Sequence, residues 1–357
     1  MTRIVIAAGG TAGHVVPALA VADALRARGA EVEFVGGERA EAELVPRAGY
    51  ELHTLRVAGI DRRNPTRAAR AVALALRASG RARRLLRKTG ADVVLGGGGY
   101  VAGPVGLAAA SMRLPLALCE ADSYLGISNR LLAPLARRVF LSFPLEGRSG
   151  EKYLLTGRAV PAGTGQVDRA AAREGFGIGL DERCLLVFGG SLGALRLNQA
   201  ALDAFGRDAP CVVLHASGRR DHPELRRRLD ELGSPPHYHL VPYVEPFADA
   251  LAAADLAAAR AGGSVLELAA AGLPAVLVPY PHATADHQTL NARYMERAGA
   301  ALVVPDAELD GPRLAREVGE LLAAPQRLAA MANAARAASR PDAADRIAEE
   351  TLRLAAG

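Results

Sequence analysis

The stretch Ile4-Val5-Ile6-Ala7-Ala8-Gly9-Gly10-Thr11-Ala12-Gly13-His14 decides the fold. Five apolar residues in a row fit a strand covered on both faces, the pattern of a parallel sheet and not of an alternating, half-wet one. Two glycines then stop the strand, and Val15-Val16-Pro17-Ala18 starts an Ala/Leu-rich helical pattern. The same order returns at Leu185-Leu186-Val187-Phe188-Gly189-Gly190-Ser191-Leu192-Gly193-Ala194. A chain of 357 residues that twice runs strand, glycine turn, helix is read as two Rossmann-like units.

Working outward, short apolar runs alternate with helical patterns in both halves, the signature of βαβ units. Strands are predicted at 4–8, 32–36, 51–55, 93–95, 116–119 and 139–141, then again at 185–188, 212–215, 239–241, 256–258, 275–278 and 301–303. The breaker-rich segment Thr156–Gly163 separates the sets and is predicted to be a hinge. The expected domains are 1–157 and 163–339, with a final helix, 342–357, packing back on the first. The fold class is α/β, two parallel-sheet domains facing across a cleft, since open α/β sheets bind ligands at the carboxyl ends of their strands.

Half of the residues are apolar, enough for substantial cores, and no stretch approaches the roughly 18 apolar residues of a spanning helix. Met1-Thr2-Arg3 runs directly into the first strand, so no signal peptide is expected. Cys119, Cys184 and Cys211 stand singly in or beside apolar runs and read as buried thiols of a reducing compartment. The net charge of +5 is concentrated. Between Asp61 and Lys88 stand Arg62, Arg63, Arg67, Arg70, Arg77, Arg81, Arg83, Arg84 and Arg87, interleaved with Val72, Leu74 and Leu76. No nucleic-acid partner is expected.

Several segments carry chemistry. The first glycine turn fails the dinucleotide fingerprint, because Thr11 or Ala12 stands where the second glycine belongs, which weakens a hydride-transfer reading. His14, just inside the turn, suits a general base near neutral pH; on the loop alone, a capping or core histidine is the favoured reading. Gly96-Gly97-Gly98-Gly99-Tyr100 is expected to follow a strand and offer bare backbone to phosphate. In the second half, Arg260-Ala261-Gly262-Gly263-Ser264 opens a helix whose N-terminus can hold a diphosphate without metal, with Glu267 one turn in for a ribose. The segment Pro279–Gln288 is dense in short polar groups suited to sugar hydroxyls; Asp286-His287 lacks a third ligand at motif spacing, so no metal site is expected.

Taken in order, Gly9–Pro17, Gly97–Pro104, Gly189–Ala194 and Arg260–Pro274, followed by His287-Gln288 and Asn291-Ala292, resemble the MurG family of UDP-N-acetylglucosamine–N-acetylmuramyl-(pentapeptide) pyrophosphoryl-undecaprenol N-acetylglucosaminyltransferases, over nearly the whole chain. The resemblance implies the GT-B fold and transfer of GlcNAc from UDP-GlcNAc to the C4 hydroxyl of the MurNAc of lipid I, giving lipid II in peptidoglycan synthesis with inversion at the sugar. It implies His14 as the base and no cofactor or metal. It places Thr11, Gly13, Asp122, Arg158, Ser191, the backbone near Val244, Gly262, Gly263, Ser264, Glu267, His287 and Gln288 on the donor. The acceptor would meet Gly9, Gly10, Gly97, Gly98, Gly99, Tyr100, Glu120 and Asn129. The family's first domain docks on the inner leaflet, which gives Arg67, Arg70, Val72, Leu76, Arg77, Arg81 and Arg84 an anionic membrane surface as partner and puts the chain on the cytoplasmic face of the membrane. A solvated arginine face is the plainer reading of that segment.

The chain departs from the family pattern at Cys119-Glu120-Ala121-Asp122, where His-Glu-Gln-Asn is usual, at Pro161, at Leu192, and in an Arg260–Glu267 run one residue short. These departures keep two alternatives in view. A UDP-GlcNAc epimerase or other paralogue of the same fold would need no basic membrane patch, and an inactive nucleotide-sugar binder would be expected to shed some of His14, Ser191, Glu267 and Gln288.

Overall fold

The structure, a computed structural model, describes residues 1–57, 65–189 and 194–357, with residues 65–73 and 75 described as backbone only. It divides into two compact units, Met1–Ala162 with Arg340–Gly357, and Gly163–Ser339.

The first unit runs β1 (Arg3–Ala8), α1 (Ala12–Ala27), β2 (Glu31–Gly36), α2 (Ala40–Arg47), β3 (Glu51–Thr54), α3 (Pro65–Thr89), β4 (Val93–Gly98), α4 (Ala102–Ser111), β5 (Leu116–Glu120), α5 (Ile127–Leu132), β6 (Arg138–Leu141) and β7 (Tyr153–Leu155). All pairings are parallel, in the order β3-β2-β1-β4-β5-β6-β7. Because side chains alternate across a strand, Ile4, Ile6 and Ala8 pack against α1, while Val5 and Ala7 join Ala78, Ala82 and Leu86 of α3 and Val101 and Val105 beside or in α4. Both faces are therefore covered, which is why β1 reads as an unbroken apolar run. The sequence reading missed β7, a half-buried edge strand of three residues.

The second unit runs α6 (Arg169–Phe176), β8 (Cys184–Phe188), α7 (Leu195–Phe205), β9 (Val212–Ala216), α8 (His222–Glu231), β10 (Tyr238–Val241), α9 (Phe247–Ala253), β11 (Leu256–Ala259), α10 (Val265–Ala271), β12 (Ala275–Leu277), α11 (His287–Arg297), β13 (Ala301–Val303), α12 (Gly311–Leu322) and α13 (Pro325–Ala338). Its sheet is parallel throughout, ordered β10-β9-β8-β11-β12-β13. Below it, Arg173 is almost fully buried, donates to the carbonyls of Ala253, Gly179, Leu180 and Glu182, and pairs with Asp255 at 2.8 Å. The last helix, α14 (Ala343–Ala356), places Ile347 and Ala348 in the core formed by α1 and the first sheet.

Among the described residues no helix is long and apolar enough to cross a membrane. The three cysteines are free; Cys184 and Cys211 are buried, whereas Cys119 is only half-buried.

Candidate active site

In each sheet the strand order reverses once, between β1 and β4 in the first and between β8 and β11 in the second. At such a switch point the connections leave toward opposite faces and open a crevice at the carboxyl ends of the strands. The glycine turns stand at these two places.

In the first unit, Thr11 is the N-cap of α1, yet its side chain makes no capping bond, so the first amides of the helix have no side-chain cap. His14 sits in that first turn, half-buried, with Nδ1 3.4 Å from the Thr11 hydroxyl. Arg158, from the far end of the unit, is buried and donates from Nη2 to the Gly13 carbonyl at 2.8 Å. The fold thus brings Thr11, Gly13, His14 and Arg158 together.

The glycine run after β4 corrects the sequence reading. It does not simply follow the strand: Gly96 to Gly98 are the last residues of β4, and the register with β1 slips there, pairing Ala7 with Gly96 and Ala8 with Gly98. A Cβ on Gly96 would stand 2.8 Å from Leu118, and one on Gly97 3.0 Å from the Ala8 methyl and 3.1 Å from that of Ala18. Packing accounts for these two glycines without a ligand. Gly98 and Gly99 differ, with φ of +102° and +80°. A Cβ on Gly98 would lie 2.6 Å from the His14 ring, and one on Gly99 1.8 Å from the Gly9 carbonyl oxygen. This half of the run presses on the first turn.

Gly10 and Tyr100 also differ from expectation. The Gly10 N–H donates to Glu41 Oε2 at 2.8 Å and the Tyr100 hydroxyl to Glu41 Oε1 at 3.1 Å, so neither is left to face a phosphate. Burial pushes the Glu41 carboxyl up, but the backbone donors Gly10 and Gly37 and the Tyr100 hydroxyl outweigh it and hold Glu41 below the usual carboxylate range. Sequence reasoning missed Glu41. Its signal was a carboxylate on the same helical stripe as Leu44, Val45 and Ala48.

Glu120 and Asn129, expected at the acceptor, are both 5% exposed and face inward. Glu120 accepts from the Asp122 and Gly126 amides at 3.2 and 2.8 Å and from Asn129 Nδ2 at 2.9 Å; Asn129 Nδ2 also donates to the Cys119 carbonyl. They frame the loop that carries Asp122. Burial pushes the Glu120 carboxyl up to about 7 against these donors, and the neighbouring Asp122 charge adds to the rise.

In the second unit, Arg260 is buried at the end of β11, pairs with Asp306 at 2.6 Å and donates to the Val278 and Pro279 carbonyls at 3.2 and 3.3 Å. It ties the ends of β11 and β12 to the segment after β13. A Cβ on Gly262 would meet nothing within 4 Å, so this glycine lies open, unlike those of β4. Gly263 and Ser264 lead into α10, and Glu267 is half-buried between Leu266 and Leu268. Ala285 and Asp286 hold φ of +53° and +52°, a left-handed pair that costs non-glycine residues energy. They set His287, whose Nδ1–H donates to the Thr284 carbonyl at 2.8 Å, and Gln288, whose Oε1 accepts from the Tyr280 amide at 2.9 Å. The acceptor end of Gln288 is thus engaged, and what it offers a ligand is its NH2. Asn291 is fully buried and donates to the Ala261 carbonyl at 3.1 Å, and Val244 is buried beyond β10.

Ser191 lies outside the described residues, and the side chains of Arg67, Arg70 and Val72 on α3 lie outside the description. Leu76, Arg77, Arg81 and Arg84 are exposed on α3, whose opposite side carries the buried Ala78, Ala82 and Leu86. One cluster with metal-ligand chemistry, Glu33, Glu51 and His53, sits on the edge pair β2–β3, where His53 Nε2 is 2.5 Å from Glu33 Oε2, a cross-strand pair apart from both switch points.

Two doubly wound parallel sheets, each with glycine turns at its switch point, define the GT-B fold. The glycosyltransferase family 28 N-terminal domain matches residues 4–141 and the C-terminal domain residues 184–347. The chain is 44% identical to the UDP-N-acetylglucosamine–N-acetylmuramyl-(pentapeptide) pyrophosphoryl-undecaprenol N-acetylglucosamine transferase of Moorella thermoacetica, over 98% of each chain. It is 43% identical to the enzyme of that name from Acidithiobacillus ferrooxidans, over 99% of this chain and 98% of that one. The crystal structure of Acinetobacter baumannii MurG superposes with a TM-score of 0.77 at 29% identity, covering 99% of both chains. A UDP-GlcNAc 2-epimerase from Neisseria meningitidis shares the fold, with a TM-score of 0.68 at 15% identity over 99% of this chain and 100% of that one. The chain belongs to the MurG family.

Proposed function

We propose that this enzyme transfers GlcNAc from UDP-GlcNAc to the C4 hydroxyl of the MurNAc in undecaprenyl-pyrophosphoryl-MurNAc-pentapeptide. The reading is carried by one observation, identity above 40% along virtually the entire chain to enzymes named for this reaction. The geometry supports it, since each unit starts a helix without a side-chain cap at its switch point, α1 in the first and α10 in the second.

Donor binding is assigned to the second unit. The amides at the head of α10 and the partial positive charge of the helix end suit the diphosphate. Glu267 would accept from the ribose hydroxyls, and Gln288 and His287 would meet the sugar. Ser191 and the backbone at Val244 are assigned to the nucleotide by the family pattern. On the first unit, the amides of Thr11 to Gly13 are assigned to bound phosphate. His14 takes the proton of the attacking hydroxyl as the C4 oxygen bonds to the sugar C1 and the bond to the β-phosphate breaks, inverting the sugar. UDP leaves toward the α10 amides, so the step needs no metal. Asp122, in the loop after β5, replaces a usual asparagine, which changes a donor and acceptor into an acceptor only.

The exposed side of α3 is assigned to the membrane. Leu76 with Arg77, Arg81 and Arg84 gives reversible attachment to an anionic leaflet at about 1 kcal/mol per arginine.

The test is transfer from UDP-GlcNAc to a lipid I analogue in the presence of EDTA, run beside UDP-GlcNAc alone. Disaccharide product without metal is expected. UDP-ManNAc formed from the donor alone would replace this reading with epimerisation, and binding without turnover would replace it with an inactive carrier.

A further inference from the structure

We propose that Glu41 is a positioning residue for the acceptor half of the reaction, its carboxylate clamping the turns after β1, β2 and β4 so that the first amides of α1 and His14 stand at fixed places. The functional part of this inference rests on the assignment of the first unit to the acceptor.

The carboxylate is fully buried, at 0% exposure, and its donors come from three separate segments. Oε2 accepts from the Gly10 amide at 2.8 Å; Oε1 accepts from the Gly37 amide at 2.7 Å and the Tyr100 hydroxyl at 3.1 Å. The glycines around it are the small residues this arrangement requires. A Cβ on Gly9 would lie 2.7 Å from Glu41 Oε1, one on Gly36 2.7 Å from Glu41 Cγ, and one on Gly37 2.0 Å from the Tyr100 oxygen. The turn after β4 closes the same knot, since Gly99 has room only for hydrogen where it meets the Gly9 carbonyl. Three loops that leave adjacent strands therefore converge on one side chain.

A backbone N–H on each oxygen, with the Tyr100 hydroxyl as a third donor, favours an ionised carboxylate, which has acceptor sites for all three and no hydrogen of its own. An amide of the same shape cannot serve. If its oxygen faces Gly37 and Tyr100, its NH2 points at the Gly10 N–H; if it is turned over, the NH2 points at the Gly37 N–H. Donor against donor in a dry site is costly, and the segment with most freedom to retreat is the Gly10 turn, held at φ +116° only because glycine is there. That turn leads directly into Thr11 and the start of α1, four residues before His14. The clamp also decides which amides a ligand can use: Gly10 is taken, so a bound phosphate must use those from Thr11 onward.

The experiment compares full-length wild type with Glu41→Gln, Tyr100→Phe and, as control, Glu43→Gln, whose side chain is exposed on the same helix. Steady-state transfer gives kcat and separate KM values for a lipid I analogue and for UDP-GlcNAc; calorimetry gives UDP affinity; hydrogen exchange reports on the peptide spanning Gly9 to His14. A displacement near 1 Å at a reacting group costs about 100-fold, so Glu41→Gln is expected to lower kcat/KM for the acceptor by about that factor. UDP affinity should stay within twofold of wild type, and exchange should rise in Gly9–His14 but not in β5 or β6. Tyr100→Phe, which keeps both backbone bonds, should move the same quantities by a smaller factor, and Glu43→Gln should move none. Acceptor kinetics within twofold of wild type in Glu41→Gln overturn the proposal. So does loss of donor affinity in step with acceptor kinetics and melting temperature, which would mark a general structural defect. A wild type that transfers nothing defeats the functional assignment, and with it the acceptor role; unchanged exchange at Gly9–His14 defeats the clamp itself.

Discussion

His215 should make the second unit acid-sensitive. Its ring is wholly buried, with 0% exposure, at the carboxyl end of β9. Asn198 Nδ2 donates to the Ser217 carbonyl and to Asp221 Oδ2 at 2.8 and 3.0 Å, so Asn198 presents its oxygen to the ring. The bond of 3.0 Å between that oxygen and His215 Nε2 requires the proton on Nε2. Nδ1 then accepts from the Tyr238 hydroxyl at 2.8 Å. The ring is neutral and satisfied, and a second proton would bring an unscreened charge into the core. Burial, helped by the nearby His222, pushes its pKa down from 6.5 to about 3.

The sign follows from linkage. The folded state binds this proton less readily than the unfolded chain, so the full stability is present above pH 6.5 and declines as pH falls toward 3. Each pH unit across that window costs about 1.4 kcal/mol, or about 2 kcal/mol by pH 5. The affected residues, Asn198 on α7 and the Ser217–Asp221 segment, stand at the carboxyl ends of β8 and β9, the side of the sheet to which donor binding is assigned in the proposed function. Donor binding should therefore weaken along with stability. The assay is imidazole NMR of histidine-labelled protein, with the His215 resonance identified by His215→Asn, alongside hydrogen exchange of the β9 peptide at pH 7.5 and 5. No titration of His215 above pH 5 is expected, with β9 protection falling by about 2 kcal/mol in wild type beyond the fall in the variant. A His215 midpoint near 6.5, or equal losses in wild type and variant, refutes the reasoning.

Other outcomes follow from the same geometry. His14→Ala should lower turnover by about 10² to 10⁴ while leaving UDP-GlcNAc affinity within a few-fold, the range expected for loss of a general base; turnover near wild type removes His14 from that role. Glu267→Ala should raise KM for UDP-GlcNAc with little change in kcat, and equal loss in both would place it elsewhere in the reaction. Arg173→Met should destabilise the second unit by about 3 kcal/mol or more, because it leaves four carbonyls without their donor and takes one of three arginines from Asp255, and a shift in melting of a degree or less would contradict this. In flotation with anionic vesicles, Arg77→Glu with Arg81→Glu and Arg84→Glu should abolish binding that wild type loses at high salt, and salt-insensitive binding would count against the α3 surface.

The alternation of strands and helices was legible because a parallel sheet buries both faces of its strands, and runs such as Ile4–Ala8 or Leu185–Phe188 have no other use. Edge strand β7 escaped because three half-buried residues carry no periodicity. The glycines were legible as turns but not as to purpose. Gly96 and Gly97 are small because Leu118, Ala8 and Ala18 lie against them, whereas Gly262 is small where nothing touches it. A sequence shows both as the same letter, and only the partner across the sheet separates packing from access. Glu41 was hard to place for a related reason: it looks like a surface carboxylate until the fold brings the Gly10 amide and the Tyr100 hydroxyl from other loops to meet it.

The carboxylates of Glu41 and Glu120 show how the first unit tunes its electrostatics beside the proposed acceptor site. Each accepts two backbone amides and one side-chain donor, yet Glu41 is held below the usual carboxylate range and Glu120 is raised to about 7. The difference lies in the balance between burial and neighbours. Glu41 stands in the first turn of α2, where the helix dipole also favours a negative charge. Glu120 is raised by burial, and the neighbouring Asp122 charge, which has no counterpart at Glu41, adds to the rise. The fixed charge serves as the clamp, and the uncertain one sits under the loop bearing Asp122. A diphosphate bound nearby would raise the Glu120 pKa further, so that acceptor binding takes up a proton. Replacing Asp122 with asparagine should lower the Glu120 pKa and reduce that uptake, measurable as the buffer dependence of the binding enthalpy.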